Sequence, residues 1–62
     1  MDAQALARRL QLDPIERRIL MLYYAERLTL AEIAYVLSMP AFRIESIRRS
    51  IVIRTRALVH PQ

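Results

Sequence analysis

Apolar residues recur along this chain at helical spacing. Ala3, Leu6, Ala7 and Leu10 lie three and four apart behind Asp2, a usable N-cap, and predict a short helix over residues 2–10 within an N-terminal segment 1–11. Asp13-Pro14-Ile15-Glu16 then combines an N-cap acid, a proline at the first helical position and a capping-box glutamate, which opens a central helix over 13–27. Ile15, Ile19, Leu22 and Tyr23 share one of its faces, while Leu20, Met21 and Tyr24 widen the apolar arc beyond a single stripe. Arg27 suits the negative end of its dipole. Thr29-Leu30-Ala31-Glu32 repeats the capping box and starts a third helix over 29–38, with Leu30, Ile33, Ala34 and Leu37 toward the core. Pro40 biases Met39 away from helical geometry yet is tolerated in the turn that opens the next helix. That helix is expected over 40–58, with Ile44, Ile47, Ile51 and Leu58 inward. No stretch alternates with period two, so the expected fold class is all-α, a small bundle of about four helices.

Composition narrows the function classes. With 62 residues the chain holds one domain at most, and a large enzyme is excluded. Apolar residues at 55% and charged residues at 26% are the balance of a folded segment rather than a disordered tail. Ordering costs roughly 1.5 kcal/mol per residue, so a core this small must come from helix-to-helix packing or be completed by a partner. Cysteine is absent and His60 is the only histidine, which leaves no disulfide and no tetrahedral metal site, and no cofactor is expected. The longest apolar run, Ile19 to Ala25, has seven residues, against roughly 20 for a membrane span. Asp2 follows Met1, and Arg8 and Arg9 interrupt the place where a secretion signal would need its apolar stretch. A cytoplasmic chain that avoids membranes is therefore expected. Ten arginines, no lysine and six acids give a net charge of +4. Guanidinium forks grip phosphate in bidentate fashion, although GC-rich codon usage would leave the same bias.

The third and fourth helices carry a more specific pattern. Counting Leu30 as position 1, apolar residues fall at positions 4, 8, 10, 15 and 18 (Ile33, Leu37, Met39, Ile44 and Ile47), and the small Ala34 at position 5. A small residue lets two helices cross closely, the apolar set seals their interface, and the second helix projects outward for major-groove docking. This is the pattern of a helix-turn-helix.

Leu12-Asp13-Pro14, Glu16 through Tyr24, and Leu28-Thr29-Leu30-Ala31-Glu32-Ile33-Ala34-Tyr35-Val36-Leu37 resemble region 4 of the sigma-70 family of bacterial RNA polymerase sigma factors. The resemblance covers about residues 12–58. Leu22-Tyr23-Tyr24 and Ser50-Ile51-Val52 with Arg54 resemble most the flagellar branch. It implies a helical domain that recognises a promoter −35-type element in double-stranded DNA through its last helix and packs on the β-flap of the RNA polymerase core. Sixty-two residues leave no room for the −10-reading and core-binding regions of a full sigma factor, so the chain is expected to be an excised domain or a stand-alone regulator. The departures from the family pattern are local: Ser38 stands where glycine is usual, Pro40 where Ser or Thr is usual, and Ala41, Phe42, Glu45 and Ser46 where polar or basic base readers are common, whereas Arg43 keeps a common identity. Ser38 suggests a reshaped or strained turn.

The chemistry of the last helix still suits DNA. Arg43, Arg48, Arg49, Arg54 and Arg56 supply positive charge, Ser46 can hydrogen-bond either sort of base edge, Glu45 can accept from cytosine N4, and Ala41 and Phe42 can touch thymine methyls. Phe42 is nevertheless expected to tuck beside the core. Thr29 is a cap that could add a phosphate contact. The candidate DNA-binding set is thus Thr29, Ala41, Phe42, Arg43, Glu45, Ser46, Arg48 and Arg49. Tyr23 and Tyr24 are expected to pack rather than stack on bases, and Glu16 and Glu32 are explained as caps. No carboxylate pair, Ser/His/Asp set or glycine-rich loop supports catalysis, and His60 is assigned no chemistry, so the chain is not expected to be an enzyme. The competing reading is a protein-interaction module on the same scaffold. In Ile51-Val52-Ile53 one helix face cannot bury three successive residues, so Val52 or Ile53 is left for a homodimer, polymerase-flap or anti-sigma contact unless the first helix folds over them.

Overall fold

The computed structural model describes residues 2–59; His60 and the first residue of the N-terminal segment lie outside them. Four helices follow one another, with no strand among the described residues: α1 (Ala3–Leu10), α2 (Pro14–Leu20, prolonged by a π-helical turn over Met21–Ala25), α3 (Leu30–Leu37) and α4 (Ala41–Val59).

Three helix starts use side-chain caps. The Asp2 carboxylate accepts from the Ala5 N–H at 2.7 Å. Asp13 accepts from the Glu16 N–H at 2.8 Å while Glu16 accepts from the Asp13 N–H at 3.0 Å, and Thr29 and Glu32 exchange the same pair of bonds at 3.1 and 2.8 Å. These reciprocal bonds satisfy backbone donors that have no partner inside the helix.

The ends obey a single rule too. Gln11, Arg27 and Ser38 adopt left-handed φ values of 54°, 60° and 53°, and each is followed by an apolar residue turned inward: Leu12, Leu28 and Met39. The N–H groups of those three residues donate back to Ala7, Leu22 and Ala34 carbonyls at 3.1, 3.0 and 3.0 Å. Each stop is thereby a hydrogen-bonded reversal with an apolar anchor. The turn at Ser38 is left-handed, so the steric cost of that backbone falls on a residue with a Cβ.

The core divides around α2. Ile19 meets Ile33 of α3 and Ile44 of α4, all three fully buried, and Leu22, Tyr23, Leu28, Leu30, Ala34, Leu37 and Met39 pack around them. Leu20 belongs instead with Ala7, Leu12 and Ile51, against which Ala3, Leu6 and Leu10 pack from α1. Ile47 touches both clusters. The wide apolar arc of the central helix thus serves two neighbours, the helix-turn-helix and α1.

Two expectations need correction. Ile15 does not join the core: it sits in the first turn of α2 at 47% exposure, beside a hollow shared with Asp13, Glu16, Met39, Arg43 and Ile47, and Ile19 one turn later takes the buried place. The central helix also stops short of Arg27. Its last turn widens, with the Glu26 N–H donating to the Met21 carbonyl at 3.0 Å, and Arg27 forms the left-handed stop. The extra residue in that turn lets Leu22 and Tyr23 both pack on the helix-turn-helix while Tyr24 lies toward α1.

Because Ser38 holds a left-handed backbone, Ser38→Gly is expected to stabilise the domain by about 0.5–1 kcal/mol and to raise the melting temperature by about 2–8 °C. Thermal unfolding followed by circular dichroism checks this; a lower melting temperature would show that the Ser38 side chain contributes more than the strain it causes.

Candidate nucleic-acid interface

Burial sorts the side chains of α4 by direction. Ile44 and Ile51 are buried and Ile47 and Leu58 half-buried, which fixes the inward face. Phe42, Ser46, Arg49 and Ile53, spaced four, three and four apart, form the opposite, exposed stripe, with Ala41 and Arg43 exposed at the helix start. Phe42 is 77% exposed and is not tucked beside the core. It lies almost opposite Ile44 on the helix wheel, so no rotamer brings it back to the isoleucine cluster.

Glu45 and Arg48 are placed differently. Both are half-buried, and they form a bidentate pair in which Arg48 Nε donates to one Glu45 oxygen at 3.0 Å and Nη2 to the other at 2.7 Å. The guanidinium also lies 5.6 Å from the centre of the Tyr23 ring, a cation–π contact. Tyr23 in turn meets Tyr24 edge-on, ring centres 4.9 Å apart; Tyr23 packs against the isoleucine cluster, whereas Tyr24 is 49% exposed and does not pack into the core. Each Glu45 oxygen accepts one hydrogen bond from Arg48, so the carboxylate is oriented along the helix by that pair. The Arg48 hydrogen bonds hold the Glu45 carboxyl below the usual carboxylate range, against a smaller opposing effect of burial, and they raise the already high Arg48 value.

The remaining arginines separate as well. Arg54 donates to Glu16 at 2.6 Å across 38 residues of sequence, tying α4 to the capping box of α2, and Arg56 lines a groove at the far end of α4. Arg43 and Arg49 stay on the exposed surface; Arg49 Nη2 lies 3.6 Å from Glu45 and its side chain is 68% exposed. Thr29 caps α3, where its backbone N–H also draws the Glu32 carboxyl below its ordinary value.

Val52 and Ile53 part company. Ile51 is covered by α1, Val52 is half-buried at the edge of an apolar groove, and Ile53 is 60% exposed on the outward stripe. The groove, of about 330 Å³, runs between α1, the π turn and the second half of α4; Leu6, Leu20, Tyr24, Ile51 and Val52 form its apolar wall.

The geometry is that of an outward-projecting recognition helix locked onto a helix-turn-helix scaffold, and the family model for sigma-70, region 4, matches residues 10–57. The chain belongs to the sigma-70 region 4 family. Comparison with curated proteins and with solved structures finds no match. Membership makes this a DNA-binding domain of transcription, a family of sigma-factor domains that is not a catalytic one. No helix among the described residues is long and apolar enough to cross a membrane.

The Glu45–Arg48 pair was within reach of the sequence, since opposite charges three apart on a helix are neighbours. The Arg54–Glu16 pair and the contact of Arg48 with Tyr23 had no such signal, because each joins separate helices of this region 4 domain. Glu45 is expected to stay ionised to lower pH than an ordinary glutamate, its share of stability being present above the unfolded-state value and lost as pH falls through the depressed folded one. An NMR titration of the Glu45 side chain checks this: Arg48→Met should return its midpoint toward the ordinary range, and an unmoved midpoint would contradict the assigned cause.

Proposed function

We propose that this domain reads a promoter −35-type element in duplex DNA with the first half of α4 and contacts the RNA polymerase core through the groove on its other side. One observation carries the first part: Phe42, Ser46 and Arg49 project away from both core clusters on a helix held by Ile44, with Arg43 exposed at the helix start beside the hollow it shares with Met39 and Ile47. Arg43 and Arg49 supply phosphate and base-edge donors, Ser46 a polar contact of either kind, and Ala41 and Phe42 apolar contacts for thymine methyls. Thr29 at the start of α3 adds a phosphate contact from the adjoining helix. Glu45 and Arg48 act by holding the reading surface. The groove at Leu6, Leu20, Tyr24 and Val52 lies on a different side of α4 from the reading stripe, so polymerase and DNA can be held together; the β-flap is its proposed occupant.

In a salt series with labelled duplexes, sequences of −35 type should bind more tightly than scrambled ones. Arg43→Ala and Arg49→Ala should each weaken binding and lower the salt slope by about 1 if they reach phosphate. Equal or absent binding to every duplex would reject DNA reading. Val52→Glu, which sets a carboxylate into an apolar wall, should weaken capture of a β-flap fragment by about tenfold or more.

A second reading, a protein-interaction module without DNA specificity, draws on the same groove and on the exposed Phe42 and Ile53. It expects an anti-sigma or homodimer contact. Its mark is a solution mass near twice 7.3 kDa, or anti-sigma binding with no duplex preference.

A further inference from the structure

We infer that Glu45 is a positioning residue for Arg49, and that Arg49, rather than Glu45 or Arg48, recognises a guanine edge in the major groove. The inference rests on the DNA-reading assignment above and deepens it by naming the base and the side chain that reads it.

The argument begins with Arg48, which points the wrong way for DNA. Its guanidinium is held by two hydrogen bonds to Glu45 and by the face of Tyr23, so it is committed to the body of the domain. Those contacts leave the Glu45 carboxylate little freedom. The Glu45 oxygen that accepts from Arg48 at 2.7 Å is the one that lies 3.6 Å from Arg49 Nη2. Tyr23, Arg48, Glu45 and Arg49 therefore form a chain that starts in the packed α2–α4 interface and ends on the exposed stripe.

Arg49 is the only member of that chain with most of its side chain in solvent. An arginine without a neighbour loses rotamer freedom when it docks, and its planar fork must find the right plane. A carboxylate fixed 3.6 Å from Nη2 restricts that search by its charge, facing one edge of a group that has five N–H donors without forming a hydrogen bond to it. The remaining donors match the two acceptors, O6 and N7, that guanine presents in the major groove, the pairing for which a fork is best shaped. Charge supports the same division of labour. A lone carboxylate on a DNA-facing helix is repelled by phosphate, whereas Glu45 beside two arginines belongs to a group with one net positive charge.

The test uses the full 62-residue chain and a duplex selected by affinity from a randomised pool. Each guanine of the selected duplex is replaced in turn by 7-deazaguanine, which lacks only the N7 acceptor. The native chain should lose about tenfold in affinity at one guanine. Arg49→Met, which removes every donor while keeping an unbranched stem, should lose that penalty. Glu45→Gln should shrink it to about twofold to threefold, while binding to non-specific duplex strengthens as the net charge rises from +4 to +5. Arg48→Met, which releases Glu45 by a different route, should shrink the penalty likewise, and circular dichroism shows which variants are folded. A penalty unchanged in folded Glu45→Gln and Arg48→Met, or one that survives Arg49→Met, would overturn the inference while leaving DNA reading intact. If the pool yields no preferred duplex, the DNA-reading assignment falls and this inference with it.

Discussion

The contact of Ile19, Ile33 and Ile44 is the constraint on which the rest of the molecule depends. One isoleucine comes from each of α2, α3 and α4, and none exposes any surface. Burial of each is worth roughly 1.5–3 kcal/mol, a large share of what a domain of this size can have. The triad sets how α4 leaves the scaffold, because Ile44 is in its first turns, where the exposed residues Phe42, Arg43 and Ser46 also lie. Once Ile44 is inward, helix geometry alone sends Phe42 and Ser46 out.

A chain without glycine must still reverse direction three times, and it does so with Gln11, Arg27 and Ser38 in a left-handed backbone. The apolar residue that follows each one is the compensation: Leu12, Leu28 and Met39 carry their side chains into the core at the point where the backbone is strained. Ser38 holds the left-handed turn of the helix-turn-helix, with Met39, Ala34 and Leu37 packed on its inner side.

Much of this was legible in the sequence. The caps at Asp2, Asp13 and Thr29 are local, so the residue types suffice to place them. The helix-turn-helix apolar pattern likewise located Ile33 and Ile44. Ile15 and Phe42 were misread for one reason: apolar character says that a side chain gains from burial, and only the neighbouring helices decide whether a site exists for it. The eight candidate DNA residues also divided in space. Ala41, Phe42, Arg43, Ser46 and Arg49 share the exposed surface of α4 and Thr29 caps α3, while Glu45 and Arg48 satisfy each other. A basic composition could not reveal that division. Arg54 and Arg48 count toward the charge of +4 but hold helices together, leaving Arg43 and Arg49 as the exposed cations on the first half of α4.

The central claim is that the outward surface of α4, and not the groove beside α1, meets duplex DNA. The most direct measurement is an NMR titration of the isotope-labelled chain with a −35-type duplex, following every backbone amide and arginine side chain. Shifts concentrated at Ala41–Arg49 and Thr29, with Leu6, Leu20 and Val52 unmoved, are the predicted result. Shifts centred on the groove, or none in α4, would contradict it.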